Sequence, residues 1–400
     1  MSRKNMAKKA LSKAMEKGGA PSAMANPASS SAMAKSALSD REENIALNYA
    51  GKTTPAVLWK TFDNPALKGK IQCQLCAHYC LIKPGEVGKC LVRRNDAGKL
   101  VTLNWGKTEG LAIDPIEKKP FFHFKPGTKI LSFGAPACNF RCLNCQNWQL
   151  SQYAREVGTA TEWPNTTPTQ IAEQAASHKV DGIAYTYSEP TIFFEYARDT
   201  VLACRKRKET ARLFHLFVSN GYFTKEMLDF VVKEKLLAAI RIDLKFIEEE
   251  PYFRITGGHL KPVQDSIRRV WELRQNIHME VINLMIPGEN DSDEQITKLC
   301  EFVKSVSPDI PLHFSRFFPD YKMKDKAPTD IKRLLAAREI AKKIGMKYAY
   351  IGNTVLPDVE NTYCPKCNEL LIERDRYVIL QNKLRKPCCP KCGEKINVVV

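Results

Sequence analysis

Short apolar runs recur along the chain, each followed by a longer amphipathic stretch. Ile130–Phe133, Ile183–Tyr187, Phe214–Ser219, Ile240–Leu244, Glu280–Ile286, Leu312–Arg316 and Tyr348–Ile351 read as buried strands. Between them, apolar positions at helical spacing predict helices over Thr167–Ser177, Ile192–Arg207, Thr224–Glu234, Val263–Arg274, Asp293–Ser305 and Thr329–Ile344. Such alternation over more than 200 residues implies a parallel sheet, either a barrel of the TIM kind or a doubly wound sheet. No Gly-x-Gly-x-x-Gly follows a strand, which weakens the dinucleotide-binding alternative.

Chemistry in parallel βα folds gathers at the C-terminal ends of the strands. Polar residues collect there: Ser188-Glu189-Pro190, Ser219-Asn220-Gly221, Asp243-Leu244-Lys245, Asn283 with Pro287-Gly288, His313 with Arg316, and Gly352-Asn353. Singly, each has a plain explanation, since an Asn-Gly is usually a turn and a histidine inside a strand a satisfied core residue. Their joint placement on one rim is the signal.

The flanks are different. Residues 1–52 are rich in Ala, Ser, Met and Lys, carry few large apolar residues, and read as a disordered basic tail with a transient helix over Ala7–Glu16. A cysteine-rich module follows over 53–125, the barrel over 126–358 and a small ribbon over 359–400. No apolar run is long enough to cross a bilayer and no secretory signal opens the chain, so a cytoplasmic protein without membrane contact is expected.

Fourteen cysteines in such a chain point to metal ligation rather than disulfides. Cys204 and Cys300 read as core thiols, and Cys388 neighbours a ligand. The other cysteines form three sets. Cys138, Cys142 and Cys145, spaced C-x3-C-x2-C, sit on the loop leaving the first strand. Iron–sulfur clusters normally take four cysteines; a cubane held by three keeps one iron open, which separates a reacting centre from a structural one. A zinc knuckle borrowing a fourth ligand is the plainer alternative. Cys73, Cys76, Cys80 and Cys90 form C-x2-C-x3-C-x9-C, a site for zinc or a second iron–sulfur cluster, and the spacing does not choose. His78 is superfluous to a complete set of four. Cys364, Cys367, Cys389 and Cys392 form two Cys-Pro-x-Cys knuckles, C-x2-C-x21-C-x2-C, with strands over Leu370–Arg374 and Arg376–Gln381 between them. That is a zinc ribbon, its zinc supplying the folding energy so small a module lacks.

The formal charge of +17 overstates the basicity. Metal-bound thiolates in the three sets would remove roughly five positive charges. The remaining excess favours an acidic or polyanionic macromolecular partner, nucleic acid included, although a soluble basic surface gives the same number.

Four words, Asp114-Pro115-Ile116-Glu117-Lys118-Lys119-Pro120, Cys138 to Trp148, Tyr185-Thr186-Tyr187-Ser188-Glu189-Pro190-Thr191 and Pro311 to Phe317, resemble the radical S-adenosylmethionine (radical SAM) superfamily. Within it they are similar to the AmmeMemoRadiSam-system enzymes, relatives of pyruvate-formate-lyase activating enzymes. The resemblance runs from about residue 70 to the C-terminus. It implies a partial barrel, open on one side, with a 4Fe–4S cluster on Cys138, Cys142 and Cys145. S-adenosyl-L-methionine would chelate the open iron through its amine and carboxylate. The resemblance further implies Ser188 and Glu189 in the loop facing the ammonium, Lys245 and His313 near the methionine moiety and ribose, Asp243 orienting Lys245, and Asn220 on the same rim. The same four-cysteine word recurs at the N-terminal site of the family. This chain departs at Ser188, where Asn is more usual, and at Asn144, where such enzymes carry an aromatic residue near the adenine.

The implied reaction is one-electron reduction of the cluster by a ferredoxin- or flavodoxin-type donor, homolysis of the S–C5′ bond, and hydrogen abstraction by a 5′-deoxyadenosyl radical. The substrate implied is macromolecular, protein first, although no C-x2-C-x2-C insertion of the activase kind follows the main motif. Basicity and the ribbon suggest RNA modification as an alternative, and a non-catalytic metal-bound interaction module is the third class. The family name implies Memo-like and AMMECR-like companion proteins. Phe121-Phe122-His123-Phe124 and Trp148 read as core aromatics, with walling of the site as the alternative, the Asp114–Pro120 word as a functional or interdomain loop, and Arg316, Asp320, Tyr321 and Lys322 as substrate contacts or a solvated loop.

Overall fold

The computed structural model describes residues 53–156 and 163–400, so the expected tail and its Ala7–Glu16 helix lie outside the described residues. All described residues fall within one compact unit. Its centre is an eight-stranded sheet: β1 (Glu109–Pro115), β2 (Lys129–Gly134), β3 (Gly182–Tyr185), β4 (Phe214–Ser219), β5 (Ala239–Asp243), β6 (His278–Met285), β7 (Leu312–Arg316) and β8 (Ala349–Gly352). Each strand lies beside its neighbour in sequence, from β1 at one edge to β8 at the other. β1 is antiparallel to β2, and every later pairing is parallel. A doubly wound sheet reverses its strand order at a switch point; this sheet never does, which selects the barrel type. β1 and β8 do not pair, so the barrel is open. It is nonetheless curved, because one cavity touches both Lys119, just after β1, and Gly352, the end of β8.

The connecting helices are α1 (Pro168–Ser177), α2 (Phe194–Arg205), α3 (Lys225–Lys233), α4 (Glu249–Thr256), α5 (Leu260–Glu272), α6 (Asp293–Val306) and α7 (Ile331–Ile344). Their starts are written locally. Thr167 with Gln170 and Ser292 with Gln295 form reciprocal capping boxes on α1 and α6. Gly257 and Gly345 end α4 and α7 at φ 74° and 101°, a conformation that favours glycine. The strand expected over 183–187 stops at Tyr185, because Tyr187 turns to φ 68° and swings the following loop over the sheet.

Beneath the sheet, the aromatic run after β1 is core, as its composition suggested: Phe121, Phe122, His123 and Phe124 are all buried. Their backbone is held by Glu280 near the start of β6, which accepts from Phe122 N (3.1 Å) and His123 N (2.8 Å). The C-terminal module packs onto this plug. Its strands β9 (Thr362–Tyr363), β10 (Leu370–Asp375) and β11 (Val378–Asn382) form an antiparallel sheet. From β10, Arg374 donates to Phe122 O (2.7 Å), and Tyr350 of β8 lies 3.0 Å from the Thr362 hydroxyl.

On the N-terminal side, two small antiparallel sheets, one including Arg93–Asp96 and Lys99–Thr102 and the other Ile71–Cys73, carry the first cysteine set. A buried ion pair ties them to the barrel: Arg93 makes a 2.9 Å contact with Glu195 of α2, whose carboxylate also accepts from Val57 N (2.8 Å). Cys204 and Cys300 are core thiols.

Candidate active site

β2 ends at Gly134, where an added Cβ would lie 2.5 Å from Thr186 O, so only glycine lets the chain leave the sheet here. The loop that follows carries Cys138, Cys142 and Cys145 and is fixed from several sides. Arg141 N and Leu143 N donate to Thr256 O (2.8 Å) and Ile255 O (3.0 Å) at the end of α4. Phe140 packs where a Cβ on Gly258 would stand. Arg155 donates to Cys138 O (3.1 Å), and Asn220 Nδ2 to Asn139 Oδ1 (2.8 Å). A loop so tied holds its sulfurs in place without help from a ligand.

All three cysteines open on one cavity of about 410 Å³ at the C-terminal ends of the strands. That is the volume range of a small-molecule site. Backbone N–H of Phe140 points at Cys138 Sγ (3.4 Å), and the Ser151 hydroxyl lies 3.0 Å from Cys145 Sγ. Burial raises all three thiols, Cys142 to about 12. A positive centre binding them as thiolates would offset that cost.

In the same cavity as the cysteines, Asp243 at the end of β5 is shared by two cations. Arg241 Nη2 is 2.6 Å from its Oδ1 and Lys245 Nζ 3.0 Å from its Oδ2. Burial works against the Lys245 ammonium, but Asp243 and then Cys142 outweigh it and raise its pKa. Asn283 braces the turn by donating to Leu244 O (2.8 Å) and Lys245 O (3.1 Å).

Glu189 also lines the cavity, with its carboxylate already engaged. It accepts from Thr191 N (3.1 Å), Thr191 Oγ1 (2.6 Å), Ser219 Oγ (2.8 Å) and Asn220 N (2.7 Å). Burial still pushes this carboxyl up against those bonds. Ser188 donates to Ala135 O (2.5 Å), stitching the loop to the cysteine segment.

His313 is not on the rim. It is the second residue of β7, fully buried, with Nε2 2.7 Å from Glu280 Oε2 in the plug beneath the sheet. Its strand neighbour Ser315, two residues on, faces the cavity instead. The period of two put His313 on the right face of the sheet but one layer too deep.

The Asp114–Pro120 word, read as a functional or interdomain loop, reaches the wall through Glu117 to Pro120. Asp114 gathers Lys118 (2.7 Å), Lys119 (2.7 Å) and the Tyr187 hydroxyl (3.3 Å), and Lys119 Nζ stands 4.6 Å over the Tyr187 ring. The Asp114–Pro120 word is therefore a cavity-facing loop. Glu360 and Tyr377 come from the C-terminal module, which no spacing in the barrel announces. Trp148 stacks on Tyr321 (5.3 Å) at the edge rather than entering the core.

The donor set suits an iron–sulfur cluster with a polar ligand beside it: three thiols, one paired lysine, and the buried Oδ1 of Asn144, which has no hydrogen-bond partner. The profile of the radical SAM superfamily matches residues 134–300, spanning this loop and the strands through β6. An uncharacterised protein of Methanocaldococcus jannaschii is 40% identical over 336 residues, covering 83% of this chain and 96% of its own. The chain belongs to the radical SAM superfamily. It is also 25% identical to a pyruvate formate-lyase-activating enzyme of Staphylococcus aureus over 187 residues, 45% of this chain and 71% of that enzyme. Among solved structures it is similar to a radical SAM methyltransferase from Sphaerobacter thermophilus, with a TM-score of 0.44 and 13% identity over 57% of this chain and 67% of that one.

The other two cysteine sets are also gathered by the fold. Cys73, Cys76, Cys80 and Cys90 surround one small cavity. Cys364, Cys367, Cys389 and Cys392 bring their sulfurs within 4.8 Å of one another, close enough to hold a metal ion. Among the described residues, no helix is long and apolar enough to cross a membrane.

Proposed function

We propose that this radical SAM protein binds a 4Fe–4S cluster on Cys138, Cys142 and Cys145 and cleaves S-adenosylmethionine reductively, to remove hydrogen from a macromolecular substrate, a protein in the first instance. The observation that carries the reading is the opening of all three thiols of the C-x3-C-x2-C loop onto one cavity that charged and polar side chains also line. Held by these three thiolates, such a cluster would supply the one electron, taken from a ferredoxin- or flavodoxin-type donor, needed to split the sulfonium into methionine and a 5′-deoxyadenosyl radical.

The chain's own residues bind and shield. Lys245, held charged and aimed by Asp243, suits the α-carboxylate. Glu189 suits the α-ammonium: its buried carboxyl is pushed up, and a cation alongside would relieve the cost. Asn144 stands where related enzymes have an aromatic residue, and its unpartnered Oδ1 can accept from the adenine amino group. Asn220 and Ser188 fix the loops between these groups. Phe122 and Tyr187 add apolar wall that limits water, as a reactive radical requires. The C-terminal quartet suits one structural zinc, because its close sulfurs match a tetrahedral ion. By resemblance, Memo-like and AMMECR-like companion proteins belong to this reading, and the cytoplasmic setting expected from the sequence accords with it.

Anaerobic incubation with S-adenosylmethionine and dithionite tests it. The wild type should release 5′-deoxyadenosine, and Cys142→Ala should release none. No release from either protein would leave a binding module, and equal release from both would remove Cys142 from the chemistry. Deuterium carried into 5′-deoxyadenosine from labelled protein, rather than labelled RNA, separates the two substrate classes.

A further inference from the structure

The two four-cysteine sites differ in the space between their sulfurs. In the C-terminal quartet the sulfurs have closed in: Cys364 and Cys392 are 3.6 Å apart, Cys367 and Cys389 3.7 Å. One tetrahedral ion with metal–sulfur bonds of about 2.3 Å sets its ligands about 3.8 Å apart, so this is a single-ion geometry. Among the described residues only that quartet brings its sulfurs within 4.8 Å of one another; those of Cys73, Cys76, Cys80 and Cys90 do not close to that distance and stand around a small cavity. The space admits a water-sized sphere, whereas four thiolates closed on one zinc leave no such room. Gly88 keeps it open: a Cβ there would come within 3.4 Å of Cys80 Sγ and 3.3 Å of Ile82.

A second observation says what charge the occupant carries. Arg93 lines the same cavity and is 1% exposed. Its Nη1 reaches both oxygens of Glu195 (3.0 and 2.9 Å) and its Nη2 reaches Val57 O (2.7 Å), but Nε has no hydrogen-bond partner. A buried donor left empty costs about 1–3 kcal/mol, so an anionic acceptor belongs beside it. Lys89 N already points at Cys80 Sγ (3.4 Å), as a backbone amide does toward a metal-bound sulfur. The donor asks for an anion; the space asks for more than one metal.

We propose that Cys73, Cys76, Cys80 and Cys90 hold a polynuclear iron–sulfur cluster, separate from the one on the barrel loop, with Arg93 Nε donating to one of its sulfurs. Four thiolates are the normal ligand set of such a cluster and carry it to a net negative charge. The site touches the catalytic loop directly. His78, between Cys76 and Cys80, has Nε2 2.9 Å from Asn139 O, and Arg155 joins Cys138 O (3.1 Å) to Lys89 O (2.5 Å). Tyr79 and Leu81 on its outer side are exposed, so the site lies between solvent and the barrel loop.

Iron, acid-labile sulfide and zinc in the full chain, purified without oxygen, test the proposal. The triple variant Cys138→Ala, Cys142→Ala, Cys145→Ala should keep roughly half of the wild-type iron and an equal amount of sulfide, with a paramagnetic signal on dithionite reduction. Cys73→Ala with Cys76→Ala should lose that share, while zinc stays near one per chain in every protein. Should the cysteine variants not fold, Arg93→Met keeps all ligands and should shift the reduction potential or spectrum of the signal that the triple variant retains. A triple variant with no iron and two zinc ions overturns the proposal. One whose iron equals that of the wild type overturns instead the barrel-loop cluster and leaves this one standing.

Discussion

Glu280 is a fully buried carboxylate beneath the candidate active site, and replacing it by glutamine probes what holds the open barrel to its C-terminal module. Four donors converge on it: Phe122 N (3.1 Å) and His313 Nε2 (2.7 Å) at one oxygen, His123 N (2.8 Å) and His278 Nε2 (3.3 Å) at the other. Burial alone would raise this carboxyl, but the hydrogen bonds from His278 and His313 outweigh it and hold it well below the usual range, so it is ionised at neutral pH. In Glu280→Gln, one end becomes an NH2 donor facing two donors. A histidine can answer by changing tautomer; a backbone N–H cannot. Whichever way the amide turns, Phe122 N or His123 N is left buried without an acceptor. That orphan at about 1–3 kcal/mol, plus the weakening of a charge-assisted bond, gives about 2–4 kcal/mol. With a urea slope of about 3 kcal/mol/M, the unfolding midpoint should fall by roughly 1 M. Tryptophan fluorescence in a urea series reads the shift directly. A midpoint unchanged within error would mean that the carboxylate contributes no net stability and that the plug is held by ring packing alone.

Three further outcomes follow from other parts of the molecule. Lys245→Met removes a charge-assisted contact of about 1.5–3 kcal/mol, so binding of S-adenosylmethionine to the anaerobic protein should weaken roughly 10- to 150-fold; equilibrium dialysis showing less than a twofold change would remove Lys245 from the site. His123 and His215 are buried and neutral, with burial lowering each to about 3, whereas an unfolded histidine titrates near 6.5. The unfolded chain then binds the extra protons, so stability is full above pH 6.5 and falls as pH drops toward 3. Each residue should lose about 2 kcal/mol by pH 5, and a His215→Gln variant that is as acid-sensitive as the wild type in urea denaturation would refute the assignment. Cys367→Ser should cost the chain one zinc ion and lower its melting temperature, as zinc analysis with calorimetry can establish; a variant that retains the metal would show that the quartet is not the site.

Most of the barrel is legible in the sequence because its strands are buried on both faces, leaving continuous apolar runs with capped helices between them. β1 is not legible. As the antiparallel edge strand it is mostly exposed, and Glu109-Gly110-Leu111-Ala112-Ile113 shows no core run. The three cysteine sets were visible because ligand spacing is local. His313 was misplaced because depth within a strand is set by register, which spacing does not carry. Arg241 and Tyr187 were missed as wall residues because the contacts that bring them to the wall, Arg241 to Lys119 O and Tyr187 to Asp114, join segments far apart in sequence; the signal available was the Asp114–Pro120 word, polar and without a local structural need.

One residue type meets three environments in this chain, and the environment decides what it can do. On the barrel loop, three thiols face a cavity wide enough for a ligand, beside a lysine held charged by Asp243; a centre there has a free coordination position and a place for what binds to it. Around Cys73 to Cys90, four thiols face an apolar pocket lined by Leu75, Ile82 and Ile192, with a buried arginine as sole cation, too small for a substrate. A centre there is saturated by protein, which suits holding or passing an electron and excludes binding chemistry. In the C-terminal quartet the sulfurs have met, and nothing but an ion fits between them. Yet this module is not remote from the chemistry, because Glu360 and Tyr377 beside it complete the wall of the main cavity. Loss of a metal bound by the quartet should therefore alter the shape of the main cavity as well as the stability of the module, since the open barrel does not complete that wall alone.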